Sequence, residues 1–239
     1  RLNYAENLLV GAPDETALIA RDECGTRRTF TRAELRRAVQ SLAAGLVDLG
    51  VGPGDVVAGY LANVPEAIIA MLATAHLGAV WTSVSPDFGA AASIERFGQT
   101  GARVLVATTG CFYAGRQHDI RERVAQIAQA LPALRALVPI GGDVPVATLP
   151  VHAWESLLAR DPAQAPPPRR MEFNAPLFIL YSSGTTGKPK AIVHGAGGTL
   201  LQHRKEHLLH TDLRAGDRIF YYTTCGWMMW NWLASALAN

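Results

Sequence analysis

The chain has 239 residues, 49% hydrophobic and 18% charged, enough for one large or two small globular domains and too apolar for a disordered chain. Lys and Arg number 22 against 20 Asp and Glu, a formal net charge of +2, so bulk charge gives no footing for nucleic acid or an anionic membrane surface. Cys24, Cys111 and Cys225 form no CxxC pair and are odd in number, which fits a reducing, cytoplasmic setting better than a secreted disulfide framework. The longest apolar run, 67–81, is interrupted by Thr74 and His76 and is too short to span a bilayer. The chain opens without Met or an apolar leader and closes in an apolar, helix-like stretch, and is expected to be a piece of a longer protein.

In chain order, Thr31-Arg-Ala-Glu34 has the form of a capping box. Leu35, Val39, Leu42, Leu46 and Leu49 follow as a helical stripe that Gly50 ends. A buried strand is predicted over 56–61, a helix from Pro65 to about 77 ended by Gly78, and a strand over 79–84. A loop at 85–89, a short helix near 91–97 and a strand over 103–107 come next. Asp119 is predicted to cap a helix carrying Ile120, Val124, Ile127 and Leu131, and 136–140 reads as a further strand. Alternation of continuous apolar strands with helices predicts an α/β fold, a parallel sheet covered by helices on both faces. The Pro-rich segment 161–172 is predicted to be a stiff exposed linker, dividing a first unit, 1–160, from a second that starts at 173–239. A strand over 218–222 is predicted inside that second unit.

The chemistry concentrates after the strand 177–181. Ser182-Ser-Gly-Thr-Thr-Gly-Lys-Pro-Lys190 packs four hydroxyls, two glycines and two lysines into nine residues, followed by a strand over 191–194. Glycines let backbone N–H groups converge, hydroxyls donate, and lysines bring positive charge, a combination suited to a polyphosphate. A plain Ser/Thr/Gly surface hairpin is the alternative. The loop is not a Walker A motif, because only two residues separate Gly184 from Gly187 and Pro189 follows Lys188.

Tyr181-Ser-Ser-Gly-Thr-Thr-Gly-Lys-Pro-Lys190 resembles the signature loop of the adenylate-forming superfamily, which includes acyl-CoA synthetases, luciferases and peptide-synthetase adenylation domains. Thr29-Phe-Thr-Arg-Ala-Glu-Leu35 and the stretch 72–86 resemble its first and second core motifs, so the resemblance spans essentially the whole chain. Leu2-Asn-Tyr-Ala-Glu-Asn-Leu-Leu9 and Cys225-Gly-Trp-Met-Met-Trp-Asn-Trp232 are most similar to the acetoacetyl-CoA synthetase subgroup, close kin of acetyl- and propionyl-CoA synthetases. The resemblance implies part of the large N-terminal domain of such enzymes and an ATP-dependent ligase using ATP, Mg2+ and CoA. Its acid would be acetoacetate, or alternatively a short acid such as acetate or propionate. A nucleotide-binding relative without catalysis is a further alternative. It implies that Ser182, Ser183, Gly184, Thr185, Thr186, Gly187 and Lys188 surround the β- and γ-phosphates, with Thr185, Thr186 and Lys188 catalytic and Lys190 at the loop's edge. It implies CoA contacts from Phe88, Gly89, Ala90 and Arg116, and an acyl pocket from Trp227, Trp230 and Asn231. Each has a plainer reading: a solvated lysine, a turn glycine, an exposed arginine, a buried aromatic stripe, and for Asn231 a cap on the following helix. Small-molecule substrates are implied as partners, without nucleic acid or membrane; oligomeric state stays open, as do motifs that the family carries further along its chain. With those motifs missing, the 239 residues alone are expected to be inactive.

His203-Arg-Lys-Glu-His207 has the H-x-x-E-H form of inverzincin proteases. A zinc protease needs a third ligand on a distant helix, and only 32 residues remain. No metal ligand set is assigned, and a polar helix face is expected there.

Overall fold

The computed structural model describes residues 1–183 and 187–239. A short helix α1 (Tyr4–Leu8) precedes a hairpin of β1 (Thr16–Arg21) and β2 (Arg27–Thr31), and α2 (Arg32–Asp48) follows. The capping box at its start is formed in full: Thr31 Oγ1 accepts the Glu34 N–H at 3.1 Å, and the Glu34 carboxylate accepts the Thr31 N–H at 2.8 Å. Each bond satisfies a backbone donor that the first helical turn leaves free. Leu35, Val39, Leu42 and Leu46 are buried as the stripe requires.

Then come β3 (Val56–Tyr60), α3 (Pro65–His76), β4 (Val80–Val84), α4 (Ala90–Phe97) and β5 (Val104–Thr108). A second hairpin, β6 (Gly110–Tyr113) and β7 (Arg116–Asp119), leads to α5 (Arg121–Ala130), β8 (Ala136–Ile140) and α6 (Trp154–Leu158). The chain continues through β9 (Pro176–Ser182), β10 (Lys190–Gly195), α7 (Ala196–Lys205), a wide π-type turn (Glu206–His210) and α8 (Met228–Ala234). Gly78 takes φ +70° after α3, a left-handed backbone that glycine adopts without steric cost, and this turns the chain directly into β4.

Six strands form one sheet in the order β10-β9-β4-β3-β5-β8. Every pairing is parallel except that of β9 with β10. Side chains alternate between two apolar layers: Val57, Trp81, Val104 and Val106 pack with α1, α2 and α3 on one face, while Ala58, Val84, Leu105 and Ala107 pack with α5 on the other. A sheet buried on both faces explains why its strands read as unbroken apolar runs. Gly59 is required by packing, since a Cβ there would sit 2.6 Å from the Trp81 ring.

Beyond the Pro-rich segment 161–172, β9 pairs with β4 and extends the same sheet. The Pro-rich segment is also tied down along its length. The Asn3 carboxamide donates to Ala75 O, His76 O and Arg169 O at 2.8–3.0 Å, and His76 Nε2 lies 2.7 Å from Pro166 O. Asp119 does not cap α5: Ile120 holds that position, and the Asp119 carboxylate pairs with the Arg121 guanidinium and accepts its N–H, which lowers its pKa to about 2. Residues 218–222 form no strand; no neighbouring edge pairs with them, and Phe220 and Tyr222 stand exposed. Their aromatic, β-branched composition favours extension, but a ladder needs a partner.

The two hairpins carry no early signal. The β6–β7 turn places Ala114 at φ 52° and Gly115 at φ 75°, and alanine hides a turn that Asn-Gly would have announced.

Candidate active site

Parallel strands deliver their carboxyl ends to one edge of the sheet, and open α/β sheets bind ligands there. At this edge β4 runs into the loop 85–89, and β9 runs into the Ser/Thr/Gly/Lys loop. The first loop is fixed from three sides. Its Phe88 N–H bonds Ser85 O at 3.0 Å, Tyr60 at the end of β3 donates its hydroxyl to Phe88 O at 2.9 Å, and Arg123 of α5 donates to Pro86 O at 3.3 Å. Gly89 then starts α4, with Ala90 as its first residue.

The second loop is strand–loop–strand, as its sequence predicts. Lys190 at the start of β10 pairs across from Ser182 at the end of β9. Ser182, Ser183, Gly187, Lys188 and Lys190 are exposed, whereas Pro189 is buried. Gly187 takes φ +88°, the left-handed conformation expected of a glycine that lets a loop turn its amides inward. Gly184, Thr185 and Thr186 lie outside the described residues. At the loop's base, Thr82 Oγ1 donates to Ile179 O at 2.8 Å and therefore accepts the Tyr181 hydroxyl proton, also at 2.8 Å. Burial raises the Tyr181 pKa to about 12, with the Thr82 hydrogen bond and the Arg96 charge opposing, so the phenol stays a donor at neutral pH.

The segment 223–230 docks on the same edge. Ser83 Oγ donates to Cys225 O at 2.6 Å, Asn63 donates to Thr223 O at 3.4 Å, and the Trp230 indole donates to Asn63 Oδ1 at 3.0 Å. A Cβ built on Gly226 would lie 3.3 Å from Phe88 Cε2 and 3.5 Å from Ser85 N, so only glycine lets this segment approach the loop after β4 without displacement. Burial drives the Cys225 thiol pKa upward, which leaves it an inert packing group.

The structure brings together some of the sequence-predicted residues and separates others. Phe88 stands at the sheet edge beside Gly226, and Tyr181 at the base of the second loop approaches Phe88 through Arg96: the Arg96 guanidinium lies 4.4 Å from the Phe88 ring centroid and 6.0 Å from that of Tyr181. Arg116 is exposed on β7, beside a turn whose Ala114 and Gly115 N–H groups donate to the Glu23 carboxylate at 3.3 and 3.0 Å. The tryptophans point different ways: Trp227 is exposed, Trp230 is buried against Asn63, and Trp232 stacks at 4.5 Å on His207. Asn231 caps nothing; it lies inside α8, whose N-cap is Trp227. Its Nδ2 is 3.9 Å from Met71 Sδ, and its buried Oδ1 has no partner.

His203 and His207 are buried rather than arrayed on a polar face. Ser235 Oγ donates to Trp232 O at 2.6 Å, so His207 Nε2 carries the proton and is shared between Trp232 O at 2.9 Å and Ser235 Oγ at 3.0 Å. Among the described residues no group of three or more His, Cys, Asp or Glu is placed to hold a metal ion, and no helix is long and apolar enough to cross a membrane.

Sequence reasoning missed Asn63, Ser83, Arg96 and Gln99. Their partners across the fold, Thr223, Cys225, Tyr181 and Pro189, lie 85 or more residues away, and no local spacing marks such pairs.

The profile of the family described as AMP-binding enzyme matches residues 6–238. An acetoacetyl-coenzyme A synthetase of Rhizobium meliloti (strain 1021) is 47% identical over 241 residues, covering all of this chain and 37% of the relative. A malonamoyl-CoA synthetase of Penicillium aethiopicum is 44% identical, again covering the whole chain and 35% of the relative. The solved structure of an acetoacetyl-CoA synthetase from Streptomyces lividans superposes with a TM-score of 0.93 at 50% identity, over 99% of this chain and 37% of that one. The chain thus spans little more than a third of the length of the curated relatives it matches.

Proposed function

The chain belongs to the AMP-binding enzymes, and we propose that it supplies the phosphate-binding half of a ligase that activates a short β-carbonyl acid, acetoacetate first of all. In the reaction, a carboxylate oxygen attacks the α-phosphorus of ATP and pyrophosphate departs. The CoA thiolate then attacks the acyl carbon of the adenylate and AMP departs, leaving the thioester. The observation that carries the reading is the lysine-bearing strand–loop–strand at the carboxyl end of β9, beside the carboxyl end of β4.

Ser182, Ser183, Gly184, Thr185, Thr186, Gly187 and Lys188 would enclose the β- and γ-phosphates, with Lys190 at the rim. Charge develops on the departing pyrophosphate, so donors already aimed at it stabilise the transition state more than the ground state. Mg2+ would neutralise further phosphate charge; no step is assigned to it through residues of this chain. Phe88, Gly89, Ala90 and Arg116 would meet CoA, and Trp227, Trp230 and Asn231 would shape the acyl side. Residues 173–239 would begin a second subdomain extending beyond β10. We place the enzyme in the cytoplasm on the strength of its three free cysteines.

The relatives' names favour a β-carbonyl acid over acetate or propionate, because acetoacetate and malonamate each carry a carbonyl two carbons from the carboxylate. Malonamate is therefore the second reading of the substrate. ATP–pyrophosphate exchange by the full-length protein tests the proposal. Exchange dependent on acetoacetate supports it, malonamate dependence selects the second reading, acetate or propionate dependence selects the short-acid alternative, and nucleotide binding without exchange marks a non-catalytic relative. The 239-residue chain by itself is expected to form no acyl-CoA.

A further inference from the structure

We infer that Arg96 and Gln99, at the end of α4, are positioning residues that hold both ends of the phosphate loop; the inference rests on the nucleotide-binding reading of that loop. Ser182, Ser183, Gly187 and Lys188 are exposed, and neighbouring elements reach the loop through Tyr181 and Pro189 at its two ends. At the leading end stands Tyr181, whose ring lies 6.0 Å from the Arg96 guanidinium. At the trailing end, Pro189 O accepts a hydrogen bond from Gln99 Nε2 at 3.1 Å.

Both side chains are rigid arms. Arg96 Nη1 also donates to Ala92 O at 2.8 Å, and the Gln99 amide donates its second proton to Glu95 O at 3.0 Å. Each is thereby tied to the backbone of its own helix before it reaches the loop. The helix is anchored in turn, with Phe97 and Ser93 buried. Lys188 and Lys190 flank Pro189, so the bond to its carbonyl anchors the backbone between two cations. Ordering a free loop costs backbone entropy, and preorganisation removes part of that cost from the binding step.

Arg96 does a second thing. Its guanidinium lies 4.4 Å from the Phe88 ring centroid, a cation–π contact, so one side chain joins the loop after β4 to the start of the phosphate loop. Beyond Glu95, the side-chain hydrogen bond of Gln99 goes to the phosphate loop and not to the loop after β4. The two residues therefore separate in their expected effects.

The test uses the full-length protein and the variants Gln99→Leu, Arg96→Met and Arg96→Lys, in pyrophosphate exchange and in thioester formation. Gln99→Leu is expected to raise the KM for ATP about three- to tenfold, the scale of one lost hydrogen bond, with the KM values for CoA and for acetoacetate within twofold of wild type and the thermal midpoint unchanged. Arg96→Met is expected to raise the KM values for ATP and CoA together, and Arg96→Lys to restore part of both because a cation remains over Phe88. Unchanged KM for ATP in Gln99→Leu and Arg96→Met, or a uniform rise for all substrates with a lowered midpoint, overturns the inference while leaving the function intact. A wild type that neither binds ATP nor exchanges pyrophosphate overturns both.

Discussion

Asn231 is a carboxamide inside α8 with its oxygen buried and unbonded and its nitrogen facing only a thioether sulfur. A buried polar group without a partner destabilises a fold by about 1–3 kcal/mol, so such a residue is costly to keep unless something else bonds it. A β-carbonyl acid would offer that bond. Asn231→Leu is accordingly expected to raise the thermal midpoint by a few degrees and to cut the preference for acetoacetate over butyrate about tenfold in kcat/KM, since a site built around a polar contact loses its discrimination with that contact. A raised midpoint with unchanged preference would assign Asn231 to the core alone. Lys188 is the opposite kind of residue, exposed and outside every apolar layer. Lys188→Ala is expected to lower the rate of pyrophosphate exchange on the order of a hundredfold with the denaturation midpoint preserved, and an exchange rate equal to wild type would remove it from catalysis.

At the scale of elements, α7 and the turn after it carry a pH response. Burial, followed by the charges of His207 and His194, lowers the His203 pKa to about 4 against the opposing pull of Glu206, and burial also lowers that of His207. A histidine whose folded pKa lies below its unfolded value of about 6.5 binds its proton less readily in the fold. Its contribution is present above pH 6.5 and is lost as the pH falls from about 6.5 towards 4. Urea denaturation is expected to show about 2 kcal/mol less stability from His203 at pH 4.5 than at pH 7, and His203→Leu should remove that part of the slope; a variant with the wild-type slope would contradict the assignment.

Elements also show where sequence reading succeeds. The capping box of α2 and its leucine stripe are local signals, and both are formed as read. The 218–222 segment has strand composition yet pairs with no described strand, and His203 and His207 look polar yet are buried, His207 against Trp232 of α8, because pairing and burial are decided by residues far along the chain.

For the molecule as a whole, continuous apolar strands alternating with helices were enough to read a parallel sheet covered on both faces, since that pattern has few other solutions. The strand order, and above all the way β9 joins the sheet beside β4 across the Pro-rich segment, was not legible, because no residue spacing records which edge a returning strand chooses. The Ser/Thr/Gly/Lys loop stands out because its residue types lie in consecutive positions; the α4 side chains that reach its two ends do not, because their partners there are 85 or more residues away. ATP–pyrophosphate exchange by the full-length protein, compared across acetoacetate, malonamate, acetate and butyrate, tests the central claim most directly: exchange is expected to be fastest with acetoacetate, and absence of exchange with every acid, or equal exchange with acetate and acetoacetate, would contradict it.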